Sequence, residues 1–265
     1  MVFSILLVLL SAAAAQALSG ATAQSSPSQN GFLSETKTDQ AAAVAPKPVK
    51  VLSPEMRGDI FMARKMYREA AEAYENAPES AVTLNKTGIA YHQMLEFGPA
   101  EKYYRLAIKQ DPKYAEAINN LGTIYYARKS YRRAVNEYRK ALRLTPNSAS
   151  VWSNLAMGYF ARKDEKDAHE AFEKALSLDP NVFETHNTQG VLLQERSVEE
   201  RAKYHYFLAQ TYAKAGDNEH ALQYIRKALE EGYKERKKIG ADPAFAMLKD
   251  LPEFKELMAL EPRVL

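Results

Sequence analysis

Side-chain amides recur in this chain at a fixed interval, and the chemistry they suit is recognition. Asn85, Asn119, Ser153 and Asn187 follow one another at 34-residue steps, and beside them run Lys86, Asn120, Asn154 and Thr188. An amide carries a donor and an acceptor together, so it can pair with the N–H and C=O groups of a peptide backbone whatever that peptide's sequence. A further series at the same step, His92, Tyr126 and Phe160, offers flat apolar contact beside the amides. Asn85, Asn119, Asn120, Asn154, His92, Tyr126 and Phe160 are therefore the candidate partner-binding residues, the amides for a partner's backbone and the rings for its side chains.

Other chemistries find little support. The histidines are His92, His169, His186, His205 and His220, with no His-x3-His pair, and the chain has no cysteine. No metal site is expected from such a set. Neither a phosphate-binding glycine loop nor a nucleophile elbow is present. The many Asp and Glu read as helix-surface carboxylates, so the expectation is no catalytic residue, no cofactor and no enzyme. The formal net charge is +3, which makes no demand for a nucleic-acid partner. The charge is uneven, however. Arg128, Lys129, Arg132, Arg133, Arg139, Lys140 and Arg143 are opposed locally only by Glu116 and Glu137. A solvated outer face explains such a run, and contact with anionic lipid or polysaccharide is its functional alternative.

The elements that hold these residues follow from periodicity. Leu84-x2-Thr87-Gly88-x2-Tyr91, Ile118-x2-Leu121-Gly122-x2-Tyr125 and Trp152-x2-Leu155-Ala156-x2-Tyr159 start 34 residues apart, and His186-x2-Gln189-Gly190-x2-Leu193 is a fainter fourth copy. Behind the first three come Ala100, Tyr104, Ala107, Pro112; Ala134, Tyr138, Ala141, Pro146; and Ala168, Phe172, Ala175, Pro180. The apolar positions fall at helical spacing. Small residues such as Gly122 and Ala134 let two helix axes approach, and proline stops the second helix of each pair. This order of small, aromatic and proline positions at a fixed period resembles the tetratricopeptide repeat family. The resemblance implies an all-α solenoid of antiparallel helix pairs, and it implies a role in holding partners.

The expected units cover about residues 51–80, 81–114, 115–148, 149–182 and 202–235, with an irregular stretch over 183–201. Ser197-Val198-Glu199-Glu200 is a capping-box pattern, so a helix should start just after Ser197. Asp242-Pro243 reads as an N-cap with proline at the first helical position. Phe245, Leu248, Phe254 and Leu257 then belong to short capping helices within 242–260, divided at Leu251-Pro252, which close the apolar end of the stack. This tail resembles that of bacterial members of the family.

Val2–Leu10 is an apolar run followed by four alanines and other small residues. Residues 1–23 are expected to be a signal peptide, cut after Ala23, with Ala17 the competing position. No Lys or Arg precedes the run, and an uncleaved anchor is the alternative, although a membrane span needs about 20 apolar residues. With no cysteine there is no lipid attachment site of the lipobox kind. Residues 24–53 are Ser-, Ala- and Pro-rich and are expected to form a flexible linker ahead of a solenoid over 54–260.

The combined expectation is a non-catalytic protein-interaction scaffold, exported to the periplasm or beyond, that holds an extended partner segment along its inner groove. Asn120 and Asn154 resemble the asparagines on the first helices of the substrate-reading region of O-GlcNAc transferases, where such amides hold an extended peptide. The carboxylate clamp of chaperone-binding members is not recognisable, because Ile89, Thr123 and Met157 occupy its middle stripe. The alternatives are a surface-binding module acting through the basic face, and an accessory subunit of an enzyme.

Overall fold

The computed structural model describes residues 52–185 and 197–259. Among these residues every regular element is helical. The helices form antiparallel pairs: α1 (Pro54–Ala63) with α2 (Tyr67–Glu75), α3 (Ala81–Gln93) with α4 (Phe97–Gln110), α5 (Ala115–Ala127) with α6 (Tyr131–Leu144), and α7 (Ala149–Arg162) with α8 (Glu165–Leu178). A short α9 (Val182–Thr185) follows, and then a fifth pair, α10 (Val198–Lys214) with α11 (Asn218–Glu230). The second helix of each of the first three pairs packs on the first helix of the next, so the pairs stack in chain order. This is the all-α solenoid that the periodicity implies.

The repeated residues show why the pairs close. Ala100, Tyr104 and Ala107 of α4, Ala134, Tyr138 and Ala141 of α6, and Ala168, Phe172 and Ala175 of α8 are all fully buried. Each tyrosine lies against the glycine of its partner helix. A Cβ added at Gly88 would sit 2.6 Å from Tyr104 Cε1, and one at Gly122 would sit 2.6 Å from Tyr138 Cε1. Glycine here is thus a steric requirement for bringing a helix backbone up to a ring.

The turn inside each pair has one geometry. Lys65, Leu95, Lys129 and Lys163 have φ of 59°, 61°, 57° and 65°, and Gly216 takes the same place in the fifth pair with φ of 82°. In the third pair, Ser130 N donates to Tyr125 O and Lys129 N to Tyr126 O, both at 2.8 Å, which is a Schellman closure.

The expected helix start after Ser197 is present, with Ser197 and Glu200 forming a reciprocal capping box. Phe183 of α9 is buried with its ring 5.5 Å from Phe172 and 6.0 Å from Tyr212, so it wedges between the fourth and fifth pairs. Thr188 and Asn187, along with Gly190 and Val191–Leu193, lie outside the described residues. At the C-terminal end Asp242 caps a 3-10 helix (Pro243–Leu248) by accepting from Ala244 N, and α13 (Pro252–Ala259) follows. Phe245, Leu248, Phe254 and Leu257 are all buried there. A further short helix, α12 (Arg236–Ala241), precedes them and buries Ile239, an element the sequence reading did not anticipate.

Candidate partner-binding surface

The amides sit on the first helices of consecutive pairs, Asn85 on α3, Asn119 and Asn120 on α5, and Asn154 on α7. They bond to one another. Asn120 Nδ2 donates to Asn85 Oδ1 at 3.0 Å, and Asn154 Nδ2 donates to Asn119 Oδ1 at 3.0 Å. Both bonds span 35 residues, so each joins the first amide series of one unit to the second series of the next. Asn85 Nδ2 also donates to Glu116 Oε1 at 3.0 Å and to the Tyr114 hydroxyl at 3.3 Å. Ahead of it the same diagonal is ionic, with Lys86 Nζ 2.7 Å from Glu55 and 2.9 Å from Asp59. Burial alone would raise the Asp59 carboxyl, but the bonds from Lys86 and Tyr74 outweigh it and hold it below the usual carboxylate range.

This arrangement corrects the expectation that all seven candidate residues are open to a partner. Asn85 is 1% exposed and makes its bonds inside the stack, so it cannot meet a partner directly. Tyr126 is 5% exposed, its ring 5.3 Å from Tyr131 across the turn of its own pair. Phe160 is half-buried under α10, with ring centroids 5.3 Å from Phe207 and 5.9 Å from Tyr204. His92 is half-buried edge-on to Phe97 at 5.8 Å, and burial pushes its imidazole down to about 4. The common physical reason is that the ring at this position points towards the following helix or the following unit, which covers it. Asn119, Asn120 and Asn154 remain half-buried at the surface of the first-helix face. Among the described residues, Asn119 has an amide group with no acceptor, and the carbonyl oxygens of Asn120 and Asn154 have no donor.

The outer face is a second charged surface. Arg139 Nε donates to the Tyr159 hydroxyl at 2.8 Å with its guanidinium 5.4 Å from that ring, and Arg105 likewise donates to the Tyr125 hydroxyl. Among the described residues there is no group of His, Cys, Asp and Glu able to hold a metal ion, and no helix long and apolar enough to cross a membrane.

Comparison with known proteins fits this picture. A family model described as TPR repeat matches residues 122–161, and models described as tetratricopeptide repeat match 149–182 and 202–231. No curated protein matches. Among solved structures the chain is similar to MamA, at 22% identity and a TM-score of 0.46, over 69% of this chain and 96% of that one. It is also similar to MamA of Desulfovibrio magneticus, at 19% identity and 0.47, over 66% and 90%. A thermophilic TPR protein of Thermus thermophilus matches at 18% identity and 0.48, over 72% and 97%. With repeat models falling on the stacked helices of residues 122–182 and again on the fifth pair, the chain belongs to the tetratricopeptide repeat family, whose members act as scaffolds for protein–protein interaction.

Proposed function

We propose that this chain is a non-catalytic scaffold of the cell envelope that holds an extended segment of a partner protein against its first-helix face. The observation that carries the reading is the half-used amide row. Asn119 retains donors, and Asn120 and Asn154 retain acceptors, on one surface where the other half of each amide is fixed by its neighbour. A backbone laid along that surface would find both kinds of partner, from groups already oriented. Asn85 acts from beneath by fixing the geometry of the row, and the rings of His92, Tyr126 and Phe160, covered by the helices that follow them, support the face without meeting the partner. Export through residues 1–23, with residues 24–53 as a tether, supplies the envelope location. The solenoid of 54–260, in the units set out above, is the binding body.

The test begins with the full-length chain used to capture partners from an envelope extract. Because amides are uncharged, the captured partner should stay bound as salt rises from about 0.1 M to about 1 M. Replacing Asn119 by alanine should weaken capture. Its Oδ1 bond to Asn154 is lost as well, so affinity is compared with an Asn154→Ala variant, which breaks the same bond from the other side and removes an acceptor in place of a donor. Binding that survives both variants, or that is lost at moderate salt, would refute the site. Mass spectrometry of exported protein should find a mature N-terminus near Gln24; retention of Met1 would refute cleavage.

A further inference from the structure

We propose that two neighbouring grooves on the outer face, one on each side of α6, form a binding site for an acidic protein segment that also carries aliphatic side chains. The grooves are built from the same repeat positions. The first, between α4 and α6, has a volume of about 390 Å3, and the second, between α6 and α8, about 580 Å3. Their cations correspond one to one at 34-residue steps: Arg105 with Arg139, Lys109 with Arg143, and Lys140 with Lys174. The floors correspond too, with Leu121 and Tyr125 in the first and Leu155 and Tyr159 in the second; these are themselves buried, and the apolar surface left open comes from Ile108 and Pro112 in the first and from Trp152 in the second.

The repetition stops on both sides. The residue after the core aromatic is Arg105 in α4 and Arg139 in α6, but Glu75 in α2 and Glu173 in α8. Glu75 accepts from the Tyr91 and Tyr103 hydroxyls at 2.9 and 2.8 Å, and Glu173 lies 3.2 Å from Lys214. At this position arginine thus occupies two adjacent units and acid the units on either side of them, with arginine returning only at Arg226 of the fifth pair, beyond the break in the repeat.

Internal pairing does not use all of this charge. Arg105 pairs with Glu101 at 3.0 Å and Lys140 with Glu137 at 2.7 Å. Lys109, Arg143 and Lys174 are exposed and make no side-chain hydrogen bond or ion pair among the described residues, although Asp167 and Glu170 stand on the far rim of the second groove. The first groove thus offers one unpaired cation, Lys109, and the second offers two, Arg143 and Lys174, beside apolar side chains. A phosphate polymer or lipid headgroup would engage the cations and leave the apolar side chains uncovered. A peptide that alternates carboxylate and aliphatic side chains satisfies both, since period-2 alternation puts the two kinds on opposite sides of an extended chain. Charge complementarity would set its rate of arrival and its register.

Trp152, the only tryptophan of the chain, lines the second groove and reports occupancy directly. The full-length protein is titrated with a synthetic peptide of alternating glutamate and leucine, with polyglutamate, with inorganic polyphosphate, and with phosphatidylglycerol vesicles, while Trp152 emission is followed. The expected result is a saturable change with the alternating peptide and weaker binding of the other three. The double variant Lys109→Glu with Arg143→Glu should bind the peptide about tenfold or more weakly, while Asn119→Ala binds it normally. If charge reversal disturbs the helical circular dichroism, the glutamine double variant at the same positions replaces it. Polyglutamate binding as tightly as the alternating peptide would remove the role of the apolar side chains and overturn the proposal. Polyphosphate or vesicles binding as tightly would make the site one for phosphate, and an unaffected charge variant would place the peptide elsewhere. Loss of peptide binding in Asn119→Ala would place the peptide on the amide row and overturn the proposal, while the other outcomes leave the amide row untouched.

Discussion

At the scale of single residues, the amide diagonal leads to a prediction about stability. Asn120→Ala leaves Asn85 Oδ1 without its donor, and Asn154→Ala does the same to Asn119 Oδ1, so each should cost about 0.5–1.5 kcal/mol in denaturant unfolding. A double-mutant cycle between Asn119 and Asn154 should show coupling, whereas one between Asn85 and Asn154 should be additive. The buried tyrosines give a second prediction. Among the described residues the buried Tyr104 hydroxyl has no hydrogen-bond partner, while that of Tyr74 donates to Asp59 at 2.8 Å. Tyr104→Phe should therefore leave stability unchanged or raise it by about 1 kcal/mol, and Tyr74→Phe should lower it. Phe172, standing at the matching position of α8, already lacks the hydroxyl. The sequence announced the amides by residue type and interval, but not their use. Columns at 34-residue steps were visible in the sequence, whereas the bonds run diagonally at 35, a step that depends on how far one unit is rotated on the next.

At the scale of elements, the helix pairs were legible because small, aromatic and proline positions must recur wherever two helices cross closely. The turns within them were not. A lysine in the left-handed region leaves no mark in a sequence, since glycine is the residue expected there and only Gly216 supplies it. The strain at these turns is open to correction. Lys129→Gly removes a side chain from a φ of 57°, where an L-residue costs about 1 kcal/mol or more, and should raise stability by about 0.5–1 kcal/mol in thermal or denaturant unfolding. The aromatic series failed as a guide to the surface for a related reason. Helical phase tells which residues share a face, but Phe160 is covered by α10, which returns only after the break in the repeat.

At the scale of the whole molecule, buried histidines make stability depend on pH. Burial pushes His92 down to about 4, and burial, with Lys214 adding to it, pushes His169 down to about 4; burial also lowers His205 against the pull of Glu231. The unfolded chain then takes up protons near the ordinary histidine value of 6.5 that the folded protein refuses, so stability should fall as pH drops from about 6.5 towards about 4. His220 works in the opposite sense. Burial alone would lower it, but Asp217 at 2.6 Å and Glu184 at 3.0 Å raise it, so its contribution is fully present below 6.5 and is lost as pH rises through the elevated value. Thermal unfolding should show a shallower decline between about 6.5 and about 4 for His92→Gln, whereas His220→Gln should lower stability evenly across that range and remove the loss that the unaltered protein shows as pH rises above 6.5.

The amide diagonal also bears on how such a chain can grow. Residues 115–148 carry Asn119, which accepts from the unit that follows, and Asn120, which donates to the unit before. The neighbouring units end the amide pattern, on one side with Lys86 and on the other with Ser153. This one link fits a copy of itself at both ends. Inserted again in tandem, it would meet its twin through the same Asn–Asn bond while keeping its own glycine–tyrosine contact inside each copy, so that the amide link would carry over unchanged into a longer stack made by gene duplication.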